Sequence, residues 1–290
     1  MIRTFIPKLS IGNAVFNDIG AFVMDLSSSD FGCFKLDGII GSNLMAKLFW
    51  RIDYEKNSIE ASENLERFDR DGYDMVINFN TEAQKTPKIK SNLLGKKITF
   101  TFDTGFNGRL KVDTKYFNPK KVQQSIRTYG ISSLGLLGSA KPSEDYIFKT
   151  TTLKLDKQTF ENEIISTGKS NLIGNDFLSA FSTILDWENK KIYLKKLHPT
   201  AKSFHSFGFG YRFIDGNAQV SYTYSDDQVP LHVGDIILQI DNIDLHDLDR
   251  DTACYFFLNP VERDKDLVLI KIKRDNQVLT FRLKKRSYLT

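Results

Sequence analysis

A stretch of about 25 residues occurs twice in this chain, 133 residues apart, and a chain built on such a repeat must fold as two related halves. "DGIIGSNLMAKLFWRIDYEKNSIEA", from Asp37, lies without a gap over "SNLIGNDFLSAFSTILDWENKKIYL", from Ser170. Ile40-Gly41 falls on Ile173-Gly174, Asp53-Tyr54 on Asp186-Trp187, and Ile59 on Ile192. Each copy reads as a buried strand, a tight glycine turn, a short helix and a hairpin turning at Glu-Lys-Asn or Glu-Asn-Lys.

The repeat extends backwards with a different offset. "KLSIGNAVFND" from Lys8 matches "TLKLDKQTFEN" from Thr152 at a distance of 144 residues, with Leu9 on Leu153, Ile11 on Leu155 and Phe16 on Phe160. The first copy therefore carries about 11 extra residues, and "SSSDFGCFKLD" (27–37) is the expected insertion. Ahead of both matching blocks of the second copy lies "ITFTFDTGFNGRL", where an apolar, β-branched run ends in Asp103-Thr104-Gly105. The chain contains one Asp-Thr-Gly. Projected by either offset, a counterpart of Asp103 falls roughly 30 to 41 residues before Met1, so it is expected upstream of the present sequence.

These residues resemble the pepsin-like and retropepsin-like aspartic proteases. In that family each lobe runs an apolar strand into Asp-Thr/Ser-Gly, follows it with a flap hairpin, and later supplies an apolar pair plus Gly beneath the catalytic loop. The resemblance covers about residues 1–197, and "FDTGFNGRL" with "NLIGNDFL" is its specific core. It implies a mainly β fold of acid-protease barrel lobes, one partial (1–62) and one complete (63–198). By that resemblance Asp103, Thr104 and Gly105 are the catalytic loop, with Leu172, Ile173 and Gly174 as its support and Ile39, Ile40 and Gly41 as the support in the partial copy. The chemistry explains the residue types. Two carboxylates about 3 Å apart cannot both ionise, so they share a proton, one activating water and the other donating to the carbonyl oxygen. Gly105 lets the backbone turn and present its N–H to the carboxylate, and a side chain on Gly174 would collide with the loop. Phe106 departs from the usual Ser, Thr or Ala after the motif, and Asp-Thr-Gly-Phe-Asn-Gly matches a pattern associated with some prokaryotic members of the clan.

"TYGISSLGLLGSAKPSEDY" (128–146) has the small residues and glycines of a mobile flap, with Tyr129, Leu134 and Leu136 as candidate substrate contacts. An ordinary connection between strands fits the same segment.

After His198-Pro199 the chain changes character, and residues 203–290 resemble a PDZ domain. "FGFGYRF" would be the peptide-binding loop and strand, with Phe209, Gly210, Tyr211, Arg212 and Phe213 lining the groove and a peptide added as a strand along 210–214. "VPLHVGDIILQIDNIDL" matches the family's Gly-Asp turn and strand, and "LHDLDRDTACYFFL" is the expected helix, with Leu248, Ala253, Phe256 and Phe257 inward. A packing or regulatory domain with a vestigial groove remains open.

Composition narrows the classes. The formal net charge is +4, with no basic run interleaved with aromatics, which argues against a nucleic-acid surface. No stretch reaches the roughly 20 apolar residues of a membrane span. The four histidines show no zinc spacing, and no cofactor or metal is implied, since the dyad uses only water. Cys33 and Cys254 have the spacing of neither a metal knuckle nor a disulfide framework. The leading expectation is a peptidase acting on peptides or proteins, with the PDZ-like part recruiting substrate or a C-terminal peptide. An export signal upstream would give it an extracytoplasmic address. The alternatives are a catalytically inactive peptide-binding scaffold and a homodimer pairing two copies of Asp103.

Overall fold

The computed structural model describes residues 2–26, 30–132, 134–135, 138–139, 141–200 and 203–289. The chain is mainly β and divides into two compact units. The first comprises Met1–Met24, Gly38–Ser125 and Phe148–Lys202; the second comprises Asp25–Asp37, Ile126–Ile147 and Ser203–Thr290.

A closed barrel forms the heart of the first unit. Strand Pro87–Leu93 pairs with Lys96–Phe102, and both alternate strictly, so that Ile89 and Leu93 face Ile98, Phe100 and Phe102 in one core. Leu94 and Gly95 turn this hairpin with φ of 51° and 79°, the doubly left-handed turn that suits the twist of paired strands. Strand Leu172–Ile173 lies between Lys96–Phe102 and Leu110–Asp113. Leu110–Asp113 runs parallel to Gln158–Gly168, which follows Ser143–Leu155, and that strand returns to Pro87–Leu93 and closes the ring. Phe100, Leu153, Leu155 and Ile165 fill it at 0% exposure.

The two sequence copies are related by a local two-fold axis. In a five-stranded sheet, Phe49–Asp53 of the first copy pairs antiparallel with Phe181–Asp186 of the second. Arg51 faces Ile184, its own counterpart at the 133-residue offset, and the flanking pairs Ile52–Thr183 and Trp50–Leu185 exchange under the same offset. The turns repeat too. Left-handed backbone occurs at Asn57 and Lys190, 133 residues apart, and at Gly12 and Asp156 and at Asp18 and Asn162, both 144 apart. Asp53 and Asp186 close their hairpins by accepting from the N–H of Lys56 and Asn189.

Among the described residues the first copy forms no closed barrel. Its hairpin, Ile2–Ile11 with Ala14–Val23, matches the ends of Ser143–Leu155 and Gln158–Gly168 but forms a sheet of two strands only. Phe5, Phe22 and Ile2 stand 62%, 58% and 69% exposed. The buried strand expected at Ile39-Ile40 is corrected: both residues are exposed and form no strand, whereas Ile173 is 1% exposed. Burial of that apolar pair needs strands on both sides, which the second copy has and the described part of the first does not.

In the second unit, strands Phe209–Ile214, Asn217–Tyr224, Ile236–Ile240, Leu267–Arg274 and Gln277–Lys284 form a sheet over a core of Val220, Ile237, Ile240, Ile270 and Ile272. Ser125–Gly130 adds to the end of Asn217–Tyr224, opposite Gly130 at Tyr222. A Cβ on Gly130 would lie 2.2 Å from the Ser221 carbonyl oxygen, and φ of 125° excludes other residues there. The helix spans Arg250–Leu258, shorter than expected, because Asp249 caps it by accepting from the Thr252 N–H. The reading of the cysteines is corrected as well: Cys33 and Cys254 form a disulfide across 221 residues of sequence. Spacing could not reveal it, since the bond depends on the 25–37 insertion folding with the second unit rather than with its sequence neighbours. No helix among the described residues is long and apolar enough to cross a membrane.

Candidate active site

The loop Asp103–Gly108 leaves the barrel at the end of the Lys96–Phe102 strand. The Asp103 N–H donates to the Ile173 carbonyl at 3.0 Å, which continues the strand pairing one residue past Phe102. The chain then turns, with Phe106 N–H donating to the Asp103 carbonyl at 3.1 Å. Within that turn the Gly105 N–H donates to Asp103 Oδ1 at 2.9 Å, fixing the carboxylate. Asp103 and Thr104 are half-buried and Gly105 is exposed.

Beneath the loop, residues 174–176 clamp it from the other strand end. Gly174 N–H donates to the Arg109 carbonyl, Asn175 N–H to the Phe106 carbonyl and Asp176 N–H to the Gly108 carbonyl, at 2.8, 2.8 and 3.2 Å. A Cβ on Gly174 would sit 2.3 Å from the Gly108 oxygen and 2.4 Å from the Phe106 oxygen, so only glycine admits this approach. Phe106 packs over the ammonium of Lys111, 4.9 Å from the ring centre.

Gly41 occupies the same helix-capping position in the first copy, ahead of Ser42–Met45 as Gly174 is ahead of Asn175–Leu178. A Cβ there would meet only the tip of the Asn43 side chain within 3 Å. Among the described residues no backbone loop lies against it. The sequence-derived support residues thus divide: Ile173 bonds Asp103, Gly174 holds its loop and Leu172 pairs with the strand leading into it, while among the described residues Ile39, Ile40 and Gly41 meet no second loop.

Four further contacts were not evident in the sequence. Asn175 Nδ2 donates to the Thr104 carbonyl at 2.6 Å, and Tyr54 Oη donates to Asn175 Oδ1 at 2.6 Å. Burial pushes the Tyr54 hydroxyl up to about 12, keeping it a donor. Tyr54 belongs to the first copy and Asn175 to the second, so this chain of bonds ties the loop to the other half. The position of Asn175 directly after Leu-Ile-Gly was the available signal. Arg109, at the far end of the loop, pairs through Nη2 with Glu163 Oε2 at 3.0 Å, and Thr200 Oγ1 donates to Glu163 Oε1 at 2.7 Å. Glu163 is 1% exposed.

The expected flap is partly described. Leu136 lies outside the described residues. Leu134 pairs with Ser139 through the backbone, and Tyr129 is 53% exposed on Ser125–Gly130. The expected groove residues lie on Phe209–Ile214, whose other edge carries no strand among the described residues. Phe209 is buried, and Gly210 lies under the Tyr222 ring, 2.2 Å from where a Cβ would stand. Phe213 meets Tyr211 edge-on, and Arg212 faces Asp30. Tyr211 Oη donates to Glu262 Oε2 at 3.0 Å.

Burial holds the Glu262 carboxyl above its usual range. A carboxyl raised in the folded state favours folding fully below the ordinary carboxylate range, and that contribution is lost as pH rises through the folded value. Glu262→Gln is therefore expected to raise the melting temperature of the second unit at pH 7 and to leave it unchanged near pH 3.5, as thermal scans at the two pH values will show.

No family model matches the chain, and no curated protein is significantly similar to it. Among solved structures, it is similar to a retropepsin-like aspartic protease from Rickettsia conorii, at 15% identity and a TM-score of 0.27, over 41% of this chain and 87% of that one.

Proposed function

We propose that Asp103 is one half of an aspartic dyad and that the protein is an endopeptidase. The observation that carries this reading is the Gly174 clamp. It holds an Asp-Thr-Gly loop by three backbone hydrogen bonds at the mouth of a closed barrel, with the carboxylate already oriented by the Gly105 N–H. Gly41 has the same helix-capping position in the repeat as Gly174, which supports a seat for the second carboxylate's loop there. With both loops seated, the pair would share one proton. The ionised member takes a proton from water as that water attacks the peptide carbonyl, and the protonated member donates to the carbonyl oxygen. The chain spells Asp-Thr-Gly once, so on this reading an upstream segment or another copy would supply the second loop. Thr104 would then bond across the pair.

The Ser203–Thr290 part reads as a PDZ-like peptide-binding module. The Cys33–Cys254 disulfide favours an oxidising, extracytoplasmic address.

The test uses protein isolated from its native cells, with any upstream segment it carries, against unfolded protein substrate. Asp103→Asn should lower turnover by about 10²–10⁴-fold, the range of general acid–base catalysis, with folding intact. Undiminished cleavage would overturn the dyad. The second reading, a non-catalytic scaffold, is favoured by one observation: the seat at Gly41 holds no described loop. Peptide binding without turnover by the native protein would establish it.

A further inference from the structure

The insertion Asp25–Asp37 folds with the second unit although the residues on both sides belong to the first. Within it, the short 3-10 turn Asp30–Phe34 packs on the Arg250–Leu258 helix. Three anchors hold it. Asp30 Oδ2 lies 3.4 Å from Arg212 Nη2, on the strand that borders the expected groove. Cys33 is bonded to Cys254 of the helix, and Phe34 meets Phe257 edge-on at 5.9 Å. The segment thus reaches both walls of the groove between Phe209–Ile214 and Arg250–Leu258.

We propose that this groove is a thiol-gated binding site for peptides carrying an acidic residue four positions before an aromatic one, and that Asp30–Phe34 is its resident occupant. The inference rests on the PDZ-like reading of the second unit. Two features argue for an occupant that can leave. None of its five residues is buried, and it forms no strand pairing with Phe209–Ile214. Its ion pair is loose: Asp30 Oδ2 and Arg212 Nε are shielded from solvent, yet neither makes a hydrogen bond. One loose ion pair and one ring contact are weaker than the entropy gained by freeing five residues. The covalent bond therefore supplies the retention. The arginine, in turn, has donor capacity that a better-placed carboxylate could satisfy.

The opening step needs a dithiol reductant. One of its thiolates attacks a sulfur of the Cys33–Cys254 bond, forming a mixed disulfide and releasing the other cysteine. Its second thiol then displaces the remaining cysteine. Two electrons and two protons pass to the protein, giving two free thiols, and the reductant leaves as its own disulfide.

The experiment uses the full chain carrying Asp103→Asn, so that cleavage plays no part. The probe is a fluorescent peptide of residues 30–36 with serine in place of Cys33. Fluorescence anisotropy measures its binding, and hydrogen exchange follows Asp25–Asp37. Reduction, or the Cys33→Ser/Cys254→Ser pair, should speed exchange in the segment at least tenfold and tighten probe binding at least tenfold over the oxidised protein. Asp30→Ala with Phe34→Ala should tighten it further by removing the tethered competitor, and Arg212→Glu should abolish it. Equal probe binding in both redox states, or unchanged exchange after reduction, overturns the gate. Release of the segment without probe binding overturns the groove as a site. Neither result bears on the Asp103 dyad, which is tested by turnover.

Discussion

Gly174→Ala is expected to destabilise the first unit by about 3 kcal/mol, the upper range for forcing a methyl group into packed structure. The new Cβ would lie 2.3 and 2.4 Å from two carbonyl oxygens of the Asp103 loop, and both are backbone atoms held by their own hydrogen bonds. Neither can rotate away, so the clamp must open and the Asp103 carboxylate must shift. Gly41→Ala is the control. It has the same place in the repeat and meets only a side-chain tip, so its cost should stay below about 1 kcal/mol. Trp50 and Trp187 both lie in the first unit, 3% and 9% exposed, so urea unfolding followed by tryptophan fluorescence reports on it directly. Equal costs at the two glycines would mean that the loop does not hold Gly174 as described.

Arg109→Ala is expected to cost about 3–5 kcal/mol, the usual penalty for leaving one member of a buried ion pair behind. Glu163 is 1% exposed, and the substitution removes the guanidinium 3.0 Å from its Oε2. Arg109 immediately precedes Leu110–Asp113, the strand that leaves the Asp103 loop, and Glu163 lies on the neighbouring strand Gln158–Gly168, so the loop should loosen when the pair is broken. Arg109→Ala combined with Glu163→Leu removes both charges and should recover much of the loss. A double-mutant cycle in urea measures the coupling, and additive losses would show that the two residues do not act as a pair.

The sequence carried the repeat because periodic apolar residues and turn residues are local features. Left-handed positions at Gly12 and Asp156 and at Asn57 and Lys190 are where such turns must fall, and their spacing is visible in one dimension. The loop with its Gly174 support was legible for the same reason, as two short motifs, each continuous in sequence. Tyr54 with Asn175, and Arg109 with Glu163, join positions 121 and 54 residues apart through single polar contacts. Such contacts leave no periodic trace. The exposure of Ile39 and Ile40 was hidden for a different reason: an apolar pair reads as buried whether or not its neighbours are present. The allegiance of 25–37 and 126–147 to the second unit, and with it the disulfide, likewise depends on contacts far apart along the chain.

The bond between Cys33 and Cys254 also makes a covalent ring of residues 33–254, 222 residues around, with the Asp103 loop and its clamp within it. One backbone cut anywhere in that ring opens it without parting the molecule. A nicked protein would keep both pieces, gain only the mass of one water, and separate on a gel only after a thiol is added. For a protein read as a peptidase this matters practically: self-cleavage or processing within the ring would pass unnoticed under non-reducing conditions, and two cuts would be needed to release a fragment.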